Sequence, residues 1–236
     1  MNICILHIGS SSSPPKNTYP SSPTRFLNLL QPFLPNAKWY TVHCLDEIMP
    51  NKATEFDAYL ITGGKYSVFD NFQWQDALFE LIQKINLSHT PLIGICYGHQ
   101  AIAHALGGEV KRHKEGWGAG ITSVNIESKS KWLKPSLQKI NLYAMHQDQV
   151  TKLPNNATRF LSNDFCNISG FLIEDHILTI QQHPEFTEAL CRDLIIRRKD
   201  RIGPLFDSAL QSLEKPSQGS IAGEWMANFL KLKTNK

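Results

Sequence analysis

The sequence predicts an α/β fold organised around a mostly parallel β-sheet, and three observations predict it. Over the first hundred residues, short apolar runs typical of strands buried on both faces alternate with segments of helical spacing. Shorter strand patterns separated by turns follow, and then a helical stretch. No internal repeat or long linker interrupts the 236 residues. We therefore expect one domain, 1–236, with a helical carboxyl-terminal extension from about residue 187.

The amino-terminal part supplies the alternation of strands and helices. Strands are predicted at 3–8, 37–43, 56–62 and 92–95, and helices at 24–34, at 71–86 and from 97 to the glycines at 107 and 108. Pro35 ends the first helix, because proline cannot continue one. The segment 9–23 is rich in Ser and Pro. So long a loop is either a functional lid or contact surface, or a mobile surface insertion.

The pattern changes after Gly108. Short strands with turns between them are predicted at 121–126, 139–144, 158–161, 170–173 and 176–182. This spacing favours an antiparallel part of the same sheet. From residue 187 the spacing is helical, in three pieces that break near Gly203 and Pro204 and again at 216–219.

The charge pattern argues against a nucleic-acid partner. The net charge is +3, charged residues make up 19% of the chain, and the basic residues are scattered. The basic residues between Arg192 and Arg201 share their helix with Asp193 and Asp200. We therefore interpret that cluster as a solvated helix face.

The chain also lacks the signs of a membrane or secreted protein. No apolar run approaches membrane length, and the amino-terminal stretch is too short and too strand-like for a signal peptide. Five widely spaced cysteines without a C-x-x-C pair fit reduced thiols better than a disulfide framework. We expect a soluble cytoplasmic protein.

Cys96 occupies a predicted strand-to-helix corner between two glycines. The apolar run 92–95 leads into it, and Gly94 and Gly98 lie two residues to either side. Small residues there let strand and helix pass close together, as in the nucleophile elbow of hydrolases. A helix amino terminus also favours the thiolate, which is the attacking species. The alternative is a buried structural cysteine.

His183 and Glu185 are candidate partners for Cys96. They follow the apolar residues 177–180 and are separated by Pro184 alone, so both side chains can reach one site. The imidazole would take and return a proton, and the carboxylate would hold the imidazole tautomer. A lone histidine is more often structural, but this one has a carboxylate beside it.

Gly63 and Gly64 close the third predicted strand. Paired glycines at such a place are either a plain turn or a point where the backbone approaches a ligand. Ligands of open α/β sheets lie beyond the carboxyl ends of the strands, so the N–H groups of this turn could supply half of an oxyanion hole. The N–H of Tyr97, at the start of the next helix, could supply the other half.

The corner reads Gly94-Ile-Cys-Tyr-Gly-His-Gln100, and the histidine segment reads His183-Pro-Glu185. With Gly63 and Gly64 upstream, these motifs resemble the class I glutamine amidotransferase family, in its stand-alone branch similar to the glutaminase domain of GMP synthase. The resemblance implies a flavodoxin-like three-layer α/β sandwich. It also implies that Cys96 attacks a glutamine side-chain amide, giving a glutamyl thioester and ammonia, with His183 as general acid and base and Glu185 orienting it.

The same resemblance assigns the remaining site residues. The N–H groups of Gly64 and Tyr97 match the oxyanion donors, and the segment 145–148 looks like the one that holds the substrate's α-amino and α-carboxylate groups. The candidate substrate contacts are Gly63, Gln100, His146, Gln147 and Asp148. His146 is either a binding residue or a plain surface histidine. The chain departs from many relatives at Met145, where they carry Ser, and at Ala119, where they carry a glutamate.

Three functions remain open. The first is a glutaminase that releases ammonia for a separate synthetase, because no phosphate-cradling G-x-x-x-x-G-K-[ST] loop is present. The second is a γ-glutamyl peptidase or hydrolase, for which Met145, Ala119 and the Ser- and Pro-rich loop would fit a widened site. The third is a catalytically idle binding module. The histidines show no metal-ligand spacing, so we expect neither a metal nor another cofactor.

Overall fold

The computed structural model describes residues 1–11, 19–46 and 48–234. The central part, 12–18, of the predicted Ser- and Pro-rich loop lies outside these ranges. The strands are β1 (Asn2–His7), β2 (Lys38–His43), β3 (Ala58–Ile61), β4 (Leu92–Ile95), β5 (Glu109–Arg112), β6 (Gly118–Ile126), β7 (Lys139–His146), β8 (Asp148–Lys152), β9 (Ala157–Ser162), β10 (Gly170–Ile173) and β11 (Ile177–Ile180). The helices are α1 (Ser22–Leu30), α2 (Gln73–Ser88), α3 (Tyr97–Ala105), α4 (Glu188–Arg197), α5 (Lys199–Ile202), α6 (Phe206–Ser212) and α7 (Gly219–Thr234), with a 3-10 turn at Gly203–Leu205.

One large sheet has the strand order β2-β1-β3-β4-β11-β10-β9-β6-β7. The strands from β2 to β11 in this order pair in parallel, and those from β11 to β7 pair antiparallel. β5 and β8 form a separate two-stranded sheet. The predicted α/β fold is therefore confirmed, and the short strands of the second half form the antiparallel part.

Helices cover both faces of the sheet because the parallel strands present apolar side chains on both. In β1, Ile3 and Ile5 belong to a buried cluster with residues of α1 and α7. Cys4 and Leu6, which alternate with them, belong to a second cluster with residues of α2 and α3. The result is the three-layer arrangement that the resemblance implies.

The last helix, α7, packs beside the loop that follows β11. A Cβ atom on Gly219 would lie 2.3 Å from the carbonyl oxygen of Pro184. Gln218, just before the helix, donates its backbone N–H to the carbonyl oxygen of Asn141 at 2.8 Å. Further along the helix, Trp225 is buried in the core. α7 therefore closes one face of the sheet and supports the loop that carries Pro184.

The cysteines and the helices bear on two further expectations. All five cysteines lie in the described ranges and are buried, and no disulfide joins them, in agreement with the prediction of reduced thiols. Within the described ranges, no helix combines the length and the apolar character that crossing a bilayer requires.

Candidate active site

Three neighbouring parallel strands end at one edge of the sheet and bring the predicted catalytic groups there. β4 pairs with β3 on one side and with β11 on the other. Gly63 follows β3, Cys96 follows β4, and His183 follows β11. Because the carboxyl ends of parallel strands meet at one edge, residues far apart in the chain become neighbours.

Cys96 lies at a strained corner between β4 and α3. Its backbone has φ 51° and ψ −101°, a conformation that non-glycine residues adopt mainly at functional sites. A Cβ on Gly94 would lie 2.7 Å from the carbonyl of Gly98, and a Cβ on Gly98 would lie 2.4 Å from the carbonyl oxygen of Ile61. The prediction that both glycines provide clearance is therefore confirmed. Cys96 is 5% exposed.

His183 lies between Glu185 and Cys96. Its Nδ1 is 2.8 Å from Glu185 Oε1, and both side chains are buried. Burial alone would lower the pKa of His183. The charges of Glu185 and Cys96 and the hydrogen bonds to both outweigh burial and raise this pKa to about 10. The three residues proposed as a triad from the sequence thus meet in one place.

Two neighbours fix the plane of the imidazole. The ring of Phe186 stacks on the ring of His183, with centroids 4.0 Å apart and planes 14° apart. Gly63, which follows β3, also lies close to the imidazole. A Cβ added to Gly63 would lie 2.6 Å from Cε1 of His183 and 3.4 Å from the Cβ of Cys96. Any side chain at position 63 would displace the ring, so glycine permits the close approach of β3 to both groups.

Two adjoining cavities open at this edge. The first is lined by Cys96, Gly64, Lys65, Tyr66, Ser67, Gln100, Arg112, Trp117, Met145, His146, Gln147, Asp148, Arg198 and Arg201. The second lies on the imidazole side and is lined by Ser22, Arg25, Gly63, Gly64, Met145, His183, Glu185, Phe186, Leu194 and Arg198. We call them the thiol cavity and the imidazole cavity. Gly64, Met145 and Arg198 line both.

All the substrate contacts predicted from the sequence line these two cavities, and several also hold one another in place. Gln100 donates its amide N–H to Asp148 O at 2.8 Å and to Gln181 Oε1 at 3.1 Å. The carboxylate of Asp148 accepts hydrogen bonds from Ser67 Oγ and from Arg112 Nε, the latter at 3.3 Å. Gln100 therefore positions the backbone of the predicted substrate-binding segment. Of the predicted oxyanion donors, Gly64 lines both cavities and Tyr97 begins α3.

His146 ends β7 against the thiol cavity and is 4% exposed, so the interpretation as a plain surface histidine is wrong. Burial lowers its pKa to about 3, which leaves the ring neutral near pH 7. Its Nδ1 is buried and makes no hydrogen bond within the described part of the chain.

Arginines line the thiol cavity, and the sequence did not predict them there. The solvated-face interpretation holds for Arg192 and Arg197, which pair with carboxylates one turn away at 2.8 and 2.9 Å. It is wrong for Arg198, which is half-buried with its Cζ 5.3 Å from the ring centroid of Trp117. The break between α4 and α5 falls at Arg198. Regular helical spacing could not reveal this change of direction.

A possible metal-ligand group lies elsewhere. Within the described ranges, one group of three side chains places its possible metal-ligand atoms within 4.8 Å of one another: His89, Glu174 and His176. His89 precedes β4, and the other two lie between β10 and β11. This group is therefore at the opposite end of the central strands from Cys96.

Comparison with known proteins adds independent findings. The family described as glutamine amidotransferase class-I matches residues 34–199. The chain is 30% identical over 168 residues to gamma-glutamyl peptidase 3 of Arabidopsis thaliana, covering 68% of each protein. It is 31% identical over 144 residues to one chain of the glutamine-hydrolysing GMP synthase of Sulfolobus acidocaldarius, covering 58% of this chain and 74% of that one. The crystal structure of a glutamine amidotransferase from Methylobacillus flagellatus superposes with a TM-score of 0.74 at 18% identity, covering 97% and 94% of the two chains.

Proposed function

This chain belongs to the class I glutamine amidotransferase family, and on that premise we propose that it hydrolyses the γ-amide bond of a glutamyl substrate. Cys96 is the nucleophile, His183 the general acid and base, and Glu185 the carboxylate that orients the imidazole. The proposal is carried by one observation: a thiol on a strained strand-to-helix corner shares its site with a histidine whose Nδ1 lies 2.8 Å from a buried carboxylate.

Acylation begins from a thiolate beside an imidazolium. The raised pKa of His183 keeps its ring protonated near neutral pH, so the imidazolium has a proton to give to the leaving group. The sulfur attacks the γ-carbonyl carbon and forms a C–S bond, while the N–H groups of Gly64 and Tyr97 stabilise the oxyanion. His183 gives its proton to the leaving nitrogen as the C–N bond breaks. A glutamyl thioester remains on Cys96.

Deacylation uses water and the same imidazole. His183, now neutral, takes a proton from a water molecule, whose oxygen attacks the thioester carbon. The C–S bond breaks, glutamate leaves, and the thiolate and imidazolium are restored. Glu185 accepts the hydrogen bond from Nδ1, so that Nε2 faces the reacting atoms throughout.

Two acyl donors are compatible with this chemistry. Free glutamine would give ammonia, which a separate synthetase would consume, and a relative that forms part of a GMP synthase supports this possibility. A γ-glutamyl peptide would give a larger amine, and a relative that is a γ-glutamyl peptidase supports that one. The imidazole cavity favours the peptide, because the space bounded by Arg25, Phe186 and Arg198 exceeds what ammonia needs.

The proposal is tested with purified protein given glutamine or γ-glutamyl peptides, with ammonia, amine and glutamate measured separately. Cys96→Ala should lower the rate on the preferred substrate by about 10⁴-fold or more. Cys4→Ala is the matched control, because it removes a buried thiol from the middle of β1 and should keep the wild-type rate. Lack of product from every substrate, with Cys96 inert to a glutamine-like alkylating agent, would leave a binding module instead.

A further inference from the structure

We propose that Arg198 and Arg201 form a carboxylate-binding subsite for the leaving group, so that the preferred substrate is a γ-glutamyl peptide with a free carboxylate. This inference rests on the proposed hydrolysis and adds the residues that select the substrate. Three features carry it: the placement of the two guanidinium groups, their unbalanced charge, and the position of Arg198 relative to His183.

The two guanidinium groups are held over one aromatic ring. The Cζ atoms of Arg198 and Arg201 lie 5.3 and 5.4 Å from the ring centroid of Trp117, and all three residues line the thiol cavity. Backbone hydrogen bonds fix the points from which the two side chains extend. The N–H of Arg198 donates to Leu194 O, and that of Arg201 donates to Arg198 O. A guanidinium that rests on a ring can still present its N–H edge, the edge that pairs with a carboxylate.

The charge of this pair is not balanced within the protein. Among the residues that the structure describes, neither arginine forms an ion pair with a carboxylate, whereas Arg192 and Arg197 on the preceding helix both do. Burial lowers the pKa of Arg198, the nearby Cys96 and Cys191 oppose this effect, and the positive charge of Arg201 adds to it. Arg198 is half-buried and Arg201 is exposed, so two like charges lie together at the wall of the thiol cavity, and a bound anion would relieve their repulsion.

The position of Arg198 identifies which part of the substrate it meets. Arg198 also lines the imidazole cavity beside His183, which must deliver its proton to the leaving nitrogen. Other residues are suited to bind the glutamyl part of the substrate. Arg112 and Asp148 place one charge of each sign 3.3 Å apart in the thiol cavity. That pair suits the ammonium and carboxylate of an α-amino acid. Ammonia released from glutamine has no negative charge that Arg198 and Arg201 could bind. An amino acid released from a γ-glutamyl peptide has a carboxylate that they could bind.

The test compares γ-glutamylglycine, its carboxyl-terminal amide and glutamine as substrates. Wild-type kcat/KM should be about ten- to a hundredfold higher for the free acid than for the amide, the usual contribution of a hydrogen bond to a charged group. Arg198→Gln and Arg201→Gln should each reduce this preference of kcat/KM for the free acid over the amide. Arg197→Gln, which removes the same charge from the exposed face of α4, should keep the preference.

Each outcome decides the question. Equal rates on acid and amide in the wild type, or an equal loss of preference in Arg197→Gln and Arg198→Gln, would overturn the subsite and leave the proposed function intact. If Arg198→Gln does not fold, Arg201→Gln and the wild-type comparison remain decisive. A folded wild type that hydrolyses none of the three compounds would overturn the proposed function, and the subsite with it.

Discussion

His183 Nδ1 lies 2.8 Å from Glu185 Oε1, and the carboxylate is a main reason why the pKa of the imidazole is raised to about 10. Glu185→Gln keeps the shape of the side chain but removes its charge. We expect kcat/KM to fall on the order of 10⁴-fold, and the alkaline limb of the pH–rate profile, near pH 10 in the wild type, to move to lower pH. Glu188→Gln, which removes an exposed carboxylate three residues on, should keep the wild-type profile.

The same contact makes the stability of the protein depend on pH. Because the pKa of His183 is raised above its ordinary 6.5 in the folded state, the imidazolium contributes stability that is complete below pH 6.5 and is lost as the pH rises towards about 10. The difference in unfolding free energy between wild type and His183→Gln, measured by urea denaturation, should therefore shrink over this range. A difference that grows with pH would contradict the assignment of the raised pKa.

Gly63 lies where a methyl group would push the imidazole out of place. With its added Cβ 2.6 Å from Cε1 of His183, Gly63→Ala should lower kcat/KM by about 10²-fold, the effect of a displacement of about 1 Å in an active site. Gly107→Ala provides the contrast. Its φ of 87° is unfavourable for alanine, but no heavy atom lies within 4 Å of the new Cβ. That variant should lose about 1 kcal/mol of unfolding free energy and keep its activity.

The backbone conformation at Cys96 costs less free energy for glycine than for a residue with a Cβ atom. Its φ of 51° and ψ of −101° carry a conformational cost of about 1–3 kcal/mol for a residue with a Cβ. Cys96→Gly and Cys96→Ala should both be inactive, but the glycine variant should have the higher unfolding free energy, by about 1 kcal/mol. Equal urea midpoints for the two variants would mean that the corner is not strained.

The sequence could predict that Cys96, His183 and Glu185 lie together because its signals are local. Gly94 and Gly98 mark the corner, and His183 and Glu185 follow a short apolar strand, so each half of the site is visible within a few residues. The parallel arrangement then brings the strand ends together without further information. The role of Gly63 needed the structure, since the approach of His183 to its backbone is a contact across the sheet.

Other parts of the molecule carry no local signal. β5 and β8 were missed because they are short, rich in charged and polar residues, and pair with each other instead of joining the large sheet. Arg198 was placed on a solvated face because helical spacing continues through it, whereas the structure ends α4 there. His146 lacked any sequence feature that separates a buried from an exposed position at the end of a strand.

The contact between Gly219 and Pro184 links the loop that carries His183 and Glu185 to a helix that follows them in the chain. A nascent polypeptide would contain Cys96, His183 and Glu185 before α7 had emerged. The face of the sheet that α7 covers would still be open, and Pro184 would lack its support. We expect competence for hydrolysis to arrive only when synthesis has passed this helix. Cys96 would then stay inactive during translation because the helix that supports Pro184 is made after it.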